Sequence, residues 1–433
     1  MDLTSEEQGM LDGKFGNAVR KSMEILVALG NIYGAKRLID VSSVQIAGVS
    51  YDNLGEAGLD YLSELAKDGK TRVLTTLNPA GMDLVDWKKL GIPEDFAKKQ
   101  LAVIDAFKKM GVVTSCTCTP YFIGNLPHYG DHVAWSESSA VCFANSVLGA
   151  RTNREGGPSA IASALTGKTA EYGMHLDENR QAQVIVKVRA KLKTIPDFGA
   201  LGYATGKKIG NKIPLFVGVK RASVEELKSL CASIATYGGT AQFHIKGITP
   251  DRTHKPSEEI IVTQNDLDDA KTALTDEGYD EPDIIALGCP HCSINEVRKI
   301  AELLDGKKVK EGKEFWICIA RPIKEIAEQA GYVKTIEAAG AKFACDTCMV
   351  VAPIKGRFKC LATDSAKSCF YARGKNAFKT KFGTAEECVD AAVTGEWKLK
   401  QAKKKEAKKE EAKSKAVETE AAEPAESTES AEK

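Results

Sequence analysis

Twelve cysteines stand in this chain, and six of them fall into three close pairs: Cys116/Cys118, Cys289/Cys292 and Cys345/Cys348. Each pair follows a segment that reads as a β-strand and precedes a helix or a turn. Thiolates held by loops of that kind suit iron–sulfur clusters or zinc. If the strands are parallel, all three loops open at one sheet edge and can converge. His128, His132 and Glu137 follow the first pair, so soft ligands, proton carriers and an acid share one loop. α/β proteins put chemistry in such loops, because the carboxyl ends of parallel strands share one crevice. The remaining six, Cys142, Cys231, Cys318, Cys360, Cys369 and Cys388, lie inside predicted elements or have no partner. They read as buried filler, free cysteine being among the most buried residue types. A four-thiolate zinc site from Cys289/Cys292 and Cys345/Cys348 is the competing metal reading. It leaves Cys116/Cys118 unexplained, and its halves lie further apart than a zinc ribbon usually allows.

The elements that must position these loops alternate in type. Apolar residues at helical spacing predict helices over 17–35, 54–66, 93–110 and 224–237. Leu38–Val41, Arg72–Leu77, Gln181–Val188, Ile213–Val219, Ala241–Ile248, Ile260–Thr263, Asp283–Leu287, Phe315–Ala320, Ala341–Ala344 and Lys359–Thr363 read as strands, with Gly111–Val113 as the end of another. Gln45–Ser50 reads as the loop beyond the first strand, residues 138–148 and 159–170 as helices, and 199–210 as a glycine-rich connection. Asn265 is a candidate helix cap, and Ser293 with Glu296 makes a capping box. This rhythm predicts an α/β fold of several lobes built on mostly parallel sheets. From Lys398 onward, Lys/Glu/Ala blocks give way to Glu, Ala, Ser and Thr without an aromatic residue. Residues 1–397 therefore read as the folded region and 398–433 as a low-complexity charged tail that buries too little apolar surface to fold.

Composition removes several classes of function. A formal net charge of +1 over 433 residues gives no electrostatic reason to expect nucleic acid or a membrane surface. No apolar run reaches the roughly 18 residues that span a bilayer. The acidic, polar start MDLTSEEQGMLDGKFG is unlike a secretory signal, so a cytoplasmic location is expected, where disulfides rarely persist.

Several segments in fixed order carry a family resemblance: AGVSYDNLGEAGLDYL, LTTLNPAGMDL, CTPYFIGNLPHYGDHVAWSESSAVCFANSVLGARTNREGGPSA, LGCPHCS, CDTCMVVAP and TDSAKS. Together they resemble the large, catalytic subunit of the aconitase X family, over nearly all of residues 1–395. The resemblance implies an aconitase-like fold without the swivel domain. It also implies an iron–sulfur cluster held by one cysteine from each loop: CTPY selects Cys118, GCPH selects Cys289 and DTC selects Cys348. Cys116, Cys292 and Cys345 are then neighbours. The implied cofactor is a [4Fe–4S] cluster, with a [2Fe–2S] form as the alternative.

Three thiolates on four irons leave one iron free to act as a Lewis acid on a substrate hydroxyl. The implied reaction is a hydro-lyase dehydration, of (R)-5-phosphomevalonate to trans-anhydromevalonate 5-phosphate in isoprenoid biosynthesis. By motif matching Gly48, Val49 and Ser50 bind substrate in one loop, and Asn78 and Pro79 in a second. Glu137 and Ser138 contact the hydroxyl or carboxylate as the catalytic pair, and Lys367 meets a carboxylate or phosphate. Arg151 and Arg154 are candidates for the phosphate. His128 and His132 either orient a ligand or are merely satisfied polar residues. In the family the swivel domain carries a serine thought to be the general base, and no segment here has room for it. A separate small subunit is the expected partner. The rivals are a cis-3-hydroxy-L-proline dehydratase of the same family and a zinc-bearing scaffold that binds another protein.

Overall fold

The computed structural model describes residues 1–398, so the predicted tail lies outside the described residues apart from its first residue, Lys398. Three parallel sheets, each with its own helices, succeed one another along the chain. The first has the order Leu74–Leu77, Ser43–Ile46, Ala134–Trp135. Val113 joins its outer edge through a parallel bridge to Thr76, so the predicted strand end is a single rung. The second has the order His244–Ile245, Pro214–Val217, Val184–Val188, Glu259–Val262. The third is five-stranded: Lys342–Cys345, Glu314–Ile319, Ile284–Cys292, Cys360–Thr363, Lys379–Phe382. Its central strand is buried at every position, as a parallel strand covered on both faces must be. Among the described residues no helix is long and apolar enough to cross a membrane.

Some local expectations are corrected. Gln45 and Ile46 belong to a strand, not a loop. Leu38–Asp40 turns away at Ser42 and pairs antiparallel with Lys168–Ala170, a segment expected to be helical. Thr263, not Asn265, caps the helix Gln264–Ala273. The helix begun at Ser138 is α-helical to Phe143 and runs on as a π turn to Leu148. The glycine-rich connection is the helix Ile195–Ile209. Its glycines are there for close approach to the helix Val224–Tyr237: a Cβ on Gly202 would stand 2.7 Å from Ser233 Cβ, and one on Gly206 2.8 Å from the Gly238 nitrogen. Glycine lowers helix propensity by about 1 kcal/mol, and the packing between two buried helices outweighs that.

The first and third sheets meet at their carboxyl ends. Ala80 N–H donates to the Asp346 carbonyl over 2.8 Å, and Ser50 Oγ donates to the Val351 carbonyl over 3.3 Å. Arg321, just after a third-sheet strand, spans the seam by pairing with Asp83 (2.7 Å) and with Asp346. The second sheet's helices buttress the junction. Buried Lys228 donates to the carbonyls of Pro290 (3.2 Å) and His291 (2.9 Å), and the Tyr237 hydroxyl donates to the Ala366 carbonyl (2.9 Å).

Candidate active site

Every loop that the motifs single out leaves the carboxyl end of a strand at this seam. In the first sheet, Gly48–Ser50 follow Ile46, Asn78 and Pro79 follow Leu77, and Glu137 and Ser138 come just after Trp135. In the third, Cys289 lies within the central strand, Cys348 follows Cys345, and Lys367 follows Thr363.

At the centre Lys367 Nζ and Glu137 Oε1 form a buried ion pair. Lys367 sits in the first turn of the helix Ala366–Gly374, where the helix dipole disfavours a cation. Glu137 is its compensation. That carboxylate also accepts from Asn78 Nδ2 (2.7 Å) and from the Ser139 hydroxyl (3.0 Å) and amide (3.3 Å). Burial alone would raise the pKa of Glu137, but Lys367 and these hydrogen bonds outweigh it and hold it at about 2. Burial likewise disfavours the Lys367 ammonium, and Glu137 more than restores it. Both groups are therefore charged near neutrality. Glu137 is built to accept a hydrogen bond, not to donate a proton. The Asn78 Oδ1 atom is buried and has no partner, a free acceptor in the same wall.

The two thiols of each pair divide between a wall and a core. Cys118, Cys289 and Cys348 keep 7, 9 and 6% of their surface, whereas Cys116, Cys292 and Cys345 keep 0, 2 and 0%. The charges that act on Cys118, Cys289 and Cys348 are in each case Lys367 and Glu137, and Cys348 also acts on the other two. Cys116 and Cys345 face Asp346 and Arg321 instead. Cys292 lines a separate hollow of about 210 Å³ with Leu287, Glu296 and Asp364. Two residues apart on an extended chain, Cys116 and Cys118 would point the same way; a φ of +42° at Cys116 breaks that alternation. Gly288 has φ +99°, and a Cβ there would stand 2.2 Å from the Cys318 carbonyl oxygen. Only glycine lets the Cys289 loop leave its strand so close to the next one.

Burial raises all three wall thiols, Cys289 to about 12. Thiolates in such a place require a strongly cationic partner, and metal is the usual one. Among the described residues no group of three or more His, Cys, Asp or Glu could hold a single metal ion. The four-thiolate zinc reading thus finds no gathered donor set among the described residues. A cluster of several irons takes one thiolate at each corner and suits donors spread around a hollow. The donor chemistry fits such a group, with Cys118, Cys289 and Cys348 as its holders.

Other expected residues are elsewhere. His128 is exposed, its amide tied to Asp131, and His132 Nδ1 lies 2.9 Å from Nδ1 of buried His175. Arg151 pairs with Asp177 and donates to the His175 carbonyl, and Arg154 is exposed on the strand edge beside Trp135. None of the four is joined to the Lys367–Glu137 pair by a hydrogen bond or ion pair among the described residues. Ser50 spends its hydroxyl on Val351, leaving the Gly48–Ser50 backbone as the part free to meet an anion. Residues that sequence reasoning passed over are structural to the site. Gln100 accepts from the amides of Tyr51 (3.0 Å) and Gly81 (2.9 Å) and donates to the Val49 carbonyl (3.0 Å), tying the loops after Ile46 and Leu77 together. Asp83, Asp346 and Arg321 do the same for the loops of Asn78 and Cys348. The signal for them was charge inside motifs otherwise apolar, as in AGMD and CDTC.

Comparison with known proteins agrees with this geometry over the whole described chain. Models of the aconitase X first, second and third domains match residues 1–178, 182–272 and 282–394, one for each sheet. The phosphomevalonate dehydratase large subunit of Methanosarcina mazei is 48% identical over 92% of this chain and 98% of its own length. A cis-3-hydroxy-L-proline dehydratase of Pseudomonas aeruginosa is 34% identical over 91% of this chain but 70% of its own. The holo-form crystal structure of Thermococcus kodakaraensis aconitase X superposes with a TM-score of 0.84 at 46% identity, covering 90% of this chain and all (100%) of that one. Three sheets in the same order, thiol loops at their meeting edge and matches that span each lobe leave one assignment: the chain belongs to the aconitase X family.

Proposed function

We propose that this chain is the large subunit of a hydro-lyase that converts (R)-5-phosphomevalonate to trans-anhydromevalonate 5-phosphate. The observation that carries the reading is that Cys118, Cys289 and Cys348, from three different loops, all lie within electrostatic reach of the buried Lys367–Glu137 pair. Family membership implies an iron–sulfur cofactor. We take it as a [4Fe–4S] cluster on those three thiols; bound there, it would supply Lewis acidity for departure of the substrate hydroxyl.

The chain's own residues then have distinct tasks. Glu137, ionised and fixed by Lys367 and Asn78, accepts a hydrogen bond from the substrate hydroxyl and orients it. Ser138, next to it and likewise buried, adds a second polar contact. Lys367 offers positive charge to the substrate carboxylate, and the free Oδ1 of Asn78 takes a donor. Gly48, Val49 and the Asn78–Pro79 turn close the wall on the substrate's anionic end. The near-complete burial of these groups excludes water and strengthens each interaction.

No proton acceptor for the substrate carbon stands out among these side chains, since pairing with Lys367 leaves the Glu137 carboxylate a weak base. The reading therefore includes a small subunit that brings the base, as the name of the Methanosarcina relative supports. A cytoplasmic location fits twelve cysteines that are all free. The test is dehydration of (R)-5-phosphomevalonate under argon by the chain with and without its small subunit. Turnover by the pair alone is expected. Full turnover by the lone chain would refute the two-subunit account, and preference for cis-3-hydroxy-L-proline would move the assignment to the more distant relatives.

A further inference from the structure

His291 touches all three thiol loops at once. It lies in the Cys289 loop and is fully buried. Its backbone N–H donates to Cys118 Sγ over 3.2 Å. Its Nε2 lies 3.0 Å from the carbonyl oxygen of Thr347, the residue before Cys348. Its Nδ1 lies 3.0 Å from the hydroxyl of Thr117, the residue before Cys118.

The partners decide the tautomer. A carbonyl can only accept, so Nε2 carries the hydrogen and Nδ1 is the acceptor. The Thr117 hydroxyl therefore donates to Nδ1. Its oxygen accepts the Thr119 amide over 3.2 Å and lies 3.1 Å from the Thr119 hydroxyl, which must donate to it. A one-directional chain results: Thr119 to Thr117 to His291 to the Thr347 carbonyl. From behind, Lys228 holds the carbonyls of Pro290 and His291. A buried imidazole is costly unless both nitrogens are paired. Here both are, each to a different loop, which is more than filling the space would require.

We infer that His291, as its Nε2–H tautomer, is the positioning residue that fixes the spacing of Cys118, Cys289 and Cys348 and tunes the Cys118 sulfur through its own amide. The inference rests on the reading of those thiols as cluster ligands. Hydrogen bonds to cluster sulfurs and the partners that orient ligands govern both stability and potential in such sites. Loss of a link should let one thiol drift and open the cluster to oxygen.

The experiment uses the full chain co-produced with its small subunit and purified under argon, as parent, Thr117→Val, His291→Phe, His291→Asn and His291→Gln. Three quantities are read: iron and acid-labile sulfide per chain, the rate at which air bleaches the visible absorption, and the melting temperature of the iron-free chain. Thr117→Val and His291→Phe are expected to fold without iron, at a melting temperature lowered by the buried groups they leave unpaired, yet with the cluster bound to bleach faster, on the order of 10–100-fold. His291→Asn, which keeps an acceptor near Nδ1, and His291→Gln, which keeps a donor near Nε2, are expected between them and the parent. Bleaching and iron content equal to the parent in both Thr117→Val and His291→Phe would overturn the inference. Should His291→Phe fail to fold, Thr117→Val decides alone, because it removes a hydroxyl at constant volume. A parent with neither iron nor sulfide would overturn the cluster reading itself and the inference with it, so the two failures are told apart.

Discussion

Asn78 and Lys367 hold opposite oxygens of one carboxylate: Asn78 Nδ2 donates to Glu137 Oε2 over 2.7 Å, and Lys367 Nζ pairs with Oε1. Asn78 and Glu137 come from neighbouring loops of the first sheet and Lys367 from the third. The carboxylate is thus a joint between two lobes and, in the proposed reading, a substrate contact as well.

Removing one member of that pair should cost more than removing both. Glu137→Gln leaves a buried ammonium and Lys367→Met a buried carboxylate, each expected to destabilise the fold by about 3–5 kcal/mol. The double variant should lose clearly less than the sum. Urea melts of the four proteins measure the coupling, and strict additivity would contradict the pairing. Both single variants should also lose dehydratase activity.

Gln100 should matter to substrate binding although it is placed to touch the loops and not the substrate. Gln100→Leu strands the amides of Tyr51 and Gly81 and the Val49 carbonyl. An expected loss of ~1–3 kcal/mol for each buried group left unpaired makes this a severe change. Steady-state kinetics should show KM rising more than kcat falls, because the Gly48–Ser50 loop loosens. An unchanged KM would mean the loop is held by other contacts.

Much of the site was legible because its residues are punctuated by turn chemistry at strand ends. Gly288-Cys289-Pro290, Asp346-Thr347-Cys348 and Asp364-Ser365 each stop an apolar run of strand length. The rest was hidden for physical reasons. The helix Ile195–Ile209 was missed because glycine signals a connection in sequence, whereas here it serves close packing. The strand Ser43–Ile46 was read in part as loop, since Ser42 and Ser43 look like turn residues when only neighbours in sequence are seen. His291 looked like one more residue of a cysteine motif; its role depends on Thr117 and Thr347, which no spacing rule connects to it. Arg151 and Arg154 drew notice by charge alone, and charge does not say which partners a side chain has, such as the Asp177 that pairs with Arg151.

Asp364 should give the fold a pH dependence between about pH 4 and 7. Burial and the nearby Glu296 raise its pKa from 3.8 to about 7. The folded state therefore binds a proton that the unfolded state has lost, and stability falls as pH rises from about 4 to 7. Asp364→Asn should raise the melting temperature at pH 8 by an amount on the order of 1–3 kcal/mol in stability and change little at pH 4. Equal effects at both values would contradict the assignment.

The most direct measurement is iron and acid-labile sulfide in six single cysteine-to-serine variants, each co-purified with the small subunit under argon. Loss of the cluster on replacing Cys118, Cys289 or Cys348, with retention on replacing Cys116, Cys292 or Cys345, is the predicted result. Full iron and sulfide in any of the first three, with loss in its sequence neighbour, would contradict the division of each pair into a wall thiol and a core thiol.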